Sequence, residues 1–232
     1  MNGYYYYDSP MLLLLIAVAA LGLFASARVN SVFKKYSNML ASSGRSASEV
    51  ASALLINGGS DARLTRVSGS LTDHYDPRTD TVGLSDAVYD QCSVAALAVA
   101  AHEIGHVMQY DEGYGPIKLR NSLVPVANIC STVSPWIVLL GVFMGSFDIA
   151  IFGAVLFGAI LLFQLVTLPV ELNASRRALD MLTSGGYLAS REEEAAARKV
   201  LNAAAATYVV AALSAFVSFL RLFLMASRTR RR

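Results

Sequence analysis

The sequence predicts a mainly α membrane protein, with about four transmembrane helices and a small α+β unit inserted between the first and the second. Three observations carry this. Of 232 residues, 55% are hydrophobic and the mean hydropathy is +0.48, above the roughly 45–50% apolar content of an ordinary soluble domain. The apolar residues gather into charge-poor runs of the length a bilayer demands. Between the first and second runs, a polar stretch carries helix-capping and turn signals. The net charge of only +2, with arginines beside apolar runs and not in a stripe, argues against a nucleic-acid partner and for a lipid bilayer. Cys92 and Cys130 form no C-x-x-C pair and read as small core residues.

Residues 1–27 form the N-terminal anchor. Tyr4 to Tyr7 precede it as an interfacial aromatic cluster. Met11 to Ala27 carries no charge over 17 residues, the short end of a span. Ala25-Ser26-Ala27 looks like a cleavage site, but a cleaved leader places positive charge before its apolar core. Here Arg28, Lys34 and Lys35 follow it, so the segment reads as a retained anchor with its C-terminal end in the cytoplasm.

Residues 28–122 form the α+β unit. Ser46-x-x-Glu49 is a capping box that opens a helix through Ile56, closed by Gly58-Gly59. Leu64 to Val67, Leu71 to Tyr75 and Thr81 to Leu84 read as strands, the last two a β-hairpin around Asp76-Pro77-Arg78-Thr79-Asp80. A helix over Ser85 to Asp90, and another from near Ser93 to Tyr110 ended by Gly113 and Gly115, complete the unit. Residues 123–170 are a transmembrane hairpin: Val124 to Val170 has 47 residues with Asp148 as its one charge, enough for two crossings broken at Gly145-Ser146-Phe147-Asp148. Residues 171–189 continue as a helix ended by Gly185-Gly186. Residues 190–232 open on a second capping box, Ser190-x-x-Glu193, and cross with the charge-free Leu201 to Leu220. Their tail, Arg228 and Arg230 to Arg232 after Arg221, reads as a contact with anionic lipid headgroups.

The chemistry lies in His102-Glu103-Ile104-Gly105-His106. Residues four apart share one face of a helix, so the two imidazoles can hold one metal ion, with Glu103 beside a metal-activated water as general base. Only three histidines occur in the chain, and two are spent here on a helix whose preceding turns, Val94 to Ala101, are apolar. Ionisable groups in such a place need a partner. A catalytic zinc site takes a third protein ligand, and Glu171 is the candidate because two crossings return the chain to the side it left. The α+β unit is thereby expected to be zincin-like. His74 and Tyr75, near the end of the second strand, are candidate donors to the oxyanion of a hydrolysis, and a free edge on that strand would take a substrate peptide by main-chain hydrogen bonds.

Five blocks then mark a resemblance: Leu71-Thr-Asp-His-Tyr-Asp-Pro-Arg78; Ala100-Ala-His-Glu-x-Gly-His106; Leu123-Val-Pro-Val-Ala-Asn128; Phe163-Gln-Leu-Val-Thr-Leu-Pro-Val-Glu171 with Asn173-Ala-Ser-Arg-Arg-Ala178; and Lys199-Val-Leu-Asn-Ala-Ala-Ala205. In these the chain resembles, essentially end to end, the bacterial YugP-type membrane zinc metallopeptidases, the neutral zinc metallopeptidase family. The resemblance implies an integral membrane protein with a Zn2+-dependent peptidase site, with His102, His106 and Glu171 as ligands and Glu103 catalytic. It is fainter to the HtpX-type membrane proteases, whose third ligand lies in a Glu-x-x-Ala-Asp context. Here Glu171, Ala174 and Ser175 stand in those places, so a serine replaces the aspartate that would orient a ligand histidine. The expected function is a membrane-embedded zinc endopeptidase acting on peptide or membrane-protein substrates. The rival is a zinc-holding scaffold without turnover, which needs the ligands but no Glu103.

The positive-inside rule places the catalytic side in the cytoplasm, since Arg28, Lys34, Lys35, Lys118, Arg120, Arg176, Arg177, Arg198 and Lys199 flank the spans on that side. Natural substrate and oligomeric state are not written in the sequence.

Overall fold

The computed structural model describes residues 3–229, with side chains from residue 10 onward. The side chains of Tyr4 to Tyr7 and the end of the tail, Arg230 to Arg232, lie outside the described residues. The element order is α1 (Gly3–Tyr36), α2 (Ala47–Gly58), β1 (Arg63–Val67), β2 (His74–Asp76), β3 (Thr81–Ser85), α3 (Val94–Asp111), α4 (Gly115–Met144), α5 (Phe147–Ser184) and α6 (Arg191–Thr229). The molecule is mainly helical, with one small mixed sheet. Among the described residues, four helices are long and apolar enough to cross a membrane: Pro10–Tyr36, Gly115–Met144, Phe147–Ser184 and Arg191–Thr229.

The chain divides into two compact units, the first of Met1–Phe24, Lys118–Pro169 and Thr207–Arg232, the second of Ala25–Ile117 and Val170–Ala206. In the first unit, α4 and α5 turn at Gly145-Ser146, with Asp148 in the first turn of α5, where a carboxylate favours the helix dipole. Small residues let these helices approach: a side chain on Gly153 would meet the Val138 backbone nitrogen at 2.7 Å. Val138, Ala150, Ala154 and Ala226 are buried together. Leu12, Leu23, Trp136, Phe143 and Phe152 stand exposed, the surface expected of helices that meet lipid.

The second unit holds the larger core, with α3 running through it. Val94 to Ala98, Ala100 and Ala101 are completely buried, packed with Val50, Leu54, Val82, Leu84, Leu182, Ala197 and Val200. Ser93 caps α3, accepting from the Ala96 N–H. Ser46 and Glu49 form the expected capping box on α2, and Gly59 caps its end.

Four expectations are corrected here. Ser85 ends β3 and residues 86–90 make a turn, not a helix. The carbonyls of Tyr89 and Gln91 accept instead from the Ser48 and Ala47 N–H groups at the start of α2, and Arg66 clamps Asp86 and Asp90 at 2.6 Å each. The second strand begins at His74, because Leu71 turns with φ +56° and Asp73 accepts from both the backbone N–H and the hydroxyl of Ser85. Gly115 opens α4 and does not end α3. The second capping box is half formed: Ser190 accepts from the Glu193 N–H, while the Glu193 carboxylate takes the Ala189 N–H and reaches the Ser42 N–H and hydroxyl. The hairpin itself is present. β2 pairs antiparallel with β3, His74 opposite Gly83 and Tyr75 opposite Val82, and β1 adds on the far side of β3 in parallel. The order β1-β3-β2 leaves β2 at an edge.

Candidate metal centre

His102 and His106 lie one turn apart on α3, their ring centroids 4.8 Å apart and nearly perpendicular. Glu171 comes from α5, only 2% exposed. Its Oε2 lies 3.3 Å from His102 Nε2 and 3.5 Å from His106 Nε2. What lets α5 come so near is Gly105: a Cβ there would sit 2.7 Å from the Ala174 carbonyl oxygen. The one position between the motif residues that must be small is therefore the one facing the ligand helix.

Among the described residues, His102, His106 and Glu171 are a group able to hold a metal ion, their donor atoms all within 4.8 Å of one another. The spacing tests which ion fits. Zinc bonds nitrogen and oxygen at about 2.0–2.1 Å, and the corners of a tetrahedron of that size lie about 3.3–3.4 Å apart. The two histidine-to-carboxylate separations, 3.3 and 3.5 Å, match two edges of that tetrahedron, and two imidazoles with one carboxylate are donors zinc accepts. A zinc held by these three groups would keep a fourth position for water or substrate, as zinc sites with three protein ligands do.

Glu103 follows His102 on α3 and is 8% exposed. Burial pushes its carboxyl above the usual range, and His102 and His106 pull it back in part. His74 and Tyr75 do not join this cluster directly. His74 Nδ1 lies 2.9 Å from the Thr72 carbonyl and its ring covers Gly83. Tyr75 donates its hydroxyl to Asp80 at 2.9 Å and sets its ring edge-on to Tyr110, centroids 6.1 Å apart. Neighbours on a strand point to opposite faces, so Tyr75 meets α3 and His74 points away from it. Tyr110 is four residues past His106, on the same helical face. Burial, with Asp80 beside it, pushes the Tyr75 phenol up, so it stays a donor at neutral pH.

Polar residues surround these three groups, and of them the family comparison had pointed only to Ser175 as a partner of a histidine. Ser175 Oγ lies 3.3 Å from His102 Nδ1, and Gln109 Oε1 lies 3.1 Å from His106 Nδ1. Gln109 donates to the Val170 carbonyl at 2.8 Å and to Asn173 at 2.9 Å. Arg177 donates to Asn173 at 2.8 Å and grips both carboxylate oxygens of Glu112 at 2.7 Å. The available signal was spacing: Gln109 is three residues after His106, on its face of the helix.

The family described as "Putative neutral zinc metallopeptidase" matches residues 11–227. The chain is 46% identical over 214 residues, 91% of its length and 95% of the relative's, to the "Putative membrane protease YugP" of Bacillus subtilis (strain 168). No solved structure matches it. With nearly its whole length covered by both, the chain belongs to the neutral zinc metallopeptidase family.

Proposed function

We propose that the protein is a membrane-embedded zinc endopeptidase in which His102, His106 and Glu171 hold the metal and Glu103 is the general base. The observation that carries this is the convergence of two imidazoles on one carboxylate oxygen, at 3.3 and 3.5 Å, beside a buried, otherwise costly glutamate. Bound zinc is a Lewis acid that brings the pKa of water toward neutrality. Glu103 takes a proton from the attacking water and delivers it to the leaving amine. Tyr75, on the α3-facing side of β2, is the proposed oxyanion donor, its one O–H turning from Asp80 to the oxyanion as that charge forms; His74, on the opposite side, is assigned to the strand's surface.

The outer edge of β2 is unpaired by any other strand among the described residues, and a substrate peptide in extended form fits there by main-chain hydrogen bonds. The proposed architecture is a zincin-like unit between the first and second spans, completed by the Glu171 helix and facing the cytoplasm. Glu103 distinguishes this reading from a scaffold, since holding zinc does not require a buried carboxylate off the metal. Glu103→Gln is expected to bind one zinc per chain and to lose hydrolysis of a fluorogenic peptide by about 10²–10⁴-fold. Full turnover in that variant would sink the mechanism.

A further inference from the structure

We propose that Gln109 is a positioning residue that sets the metal geometry from two sides at once: it holds His106 in one tautomer and ties down the backbone beside Glu171. The inference rests on the reading of His102, His106 and Glu171 as ligands. Gln109 is completely buried, and the orientation of its amide follows from its partners. One end lies 2.8 Å from the Val170 carbonyl. A carbonyl only accepts, so this end is the NH2 group. The other end, 3.1 Å from His106 Nδ1, is then the oxygen, and His106 must donate from Nδ1. That leaves the lone pair on Nε2, the nitrogen that faces Glu171, as a metal ligand requires.

The same amide reaches the second ligand through the backbone. Val170 immediately precedes Glu171, so fixing its carbonyl fixes the turn that carries the carboxylate. The remaining N–H of Gln109 goes to Asn173, which Arg177 holds in turn, with Arg177 locked to Glu112. Each polar atom of Gln109 is therefore used. A leucine would fill a similar volume without the cost of burying an amide, which argues for positioning over filling. His102 is held differently. Ser175 faces its Nδ1 at 3.3 Å, and a hydroxyl can donate or accept, so it leaves that tautomer open. The task of fixing the ligand geometry falls on the His106 side.

The test uses the full chain in detergent with zinc added as the sole ligand. Zinc affinity is read by chelator competition, and the protonation of each ring nitrogen by 15N NMR, tractable with three histidines in the chain. Gln109→Met keeps the shape and removes the hydrogen bonds. It is expected to weaken zinc binding about 10–100-fold and to lose the single protonated Nδ1 state of His106. Ser175→Ala is expected to weaken zinc binding less than Gln109→Met does, since the serine fixes no tautomer. Binding by Gln109→Met within about threefold of the unaltered chain, with His106 still protonated at Nδ1, would overturn the role of Gln109 alone. An unaltered chain that takes up no zinc would overturn the ligand assignment and this proposal with it. Should Gln109→Met fail to accumulate, Asn173→Ala decides: several-fold weaker zinc binding supports the relay, and unchanged binding refutes it.

Discussion

Gly105→Ala isolates the helix approach on which the metal centre depends. The added methyl would lie 2.7 Å from the Ala174 carbonyl oxygen and 3.2 Å from Ala174 Cα, both backbone atoms, whereas ordinary contact begins at 3.4 Å. No side-chain rotation relieves this, so α3 and α5 must part by about 0.7 Å at that point. Glu171, one turn before Ala174 on α5, moves with it, away from imidazoles that sit 3.3 and 3.5 Å from its Oε2. The fold suffers little: overpacking costs about 1–3 kcal/mol, and replacing glycine by alanine inside a helix returns about 1 kcal/mol. The site suffers more. A displacement near 1 Å at reacting groups costs on the order of a hundredfold in rate, and zinc affinity is expected to fall about tenfold or more. The assay is chelator-competition zinc affinity and peptide hydrolysis on the purified variant, with thermal unfolding followed by circular dichroism. Gly115→Ala, whose methyl would meet nothing within 4 Å, is the control. Wild-type zinc affinity together with wild-type turnover in Gly105→Ala would show that the close approach of α3 to Ala174 does not govern the site.

Other outcomes follow from the same geometry. His102→Ala and Glu171→Ala are each expected to drop zinc well below one per chain, measured by elemental analysis; stoichiometric zinc in either removes that residue from the ligand set. Tyr75→Phe is expected to keep zinc and lower kcat by about a hundredfold with little change in KM, while His74→Ala stays near normal. Near-normal turnover in both makes Tyr75 structural. A reporter fused after Arg232 reads the topology: four spans with the catalytic side in the cytoplasm put it outside, and cytoplasmic signal would mean that α6 does not cross.

Much of this molecule is legible in one dimension because the forces that decide it are local. The capping box at Ser46 and Glu49, the break at Gly145-Ser146 and the one-turn spacing of His102 and His106 each depend on residues within a few positions of each other. Span length is likewise a sum over adjacent residues. Glu171 was reachable because a two-span hairpin has to return the chain to the side it left, and its place beside the histidines then rests on the contact Gly105 permits.

What tertiary structure decided involves backbone groups distant in sequence, which no local pattern encodes. Residues 85–90 hold both aspartates and apolar residues suited to a helix, yet the start of α2 takes the Tyr89 and Gln91 carbonyls and Arg66 pins Asp86 and Asp90. The parallel pairing of β1 with β3 follows the same rule, since strand identity is local and strand partner is not. Gln109 shows it most plainly. A glutamine at the end of an apolar helix carries no signature by itself, and its meaning comes from a carbonyl 61 positions away. The sequence by itself determined the membrane class, the capped ends of α2 and which residues have the chemistry to hold zinc. Tertiary structure decided how those residues are oriented, because orientation depends on hydrogen bonds that close only when α5 packs on α3.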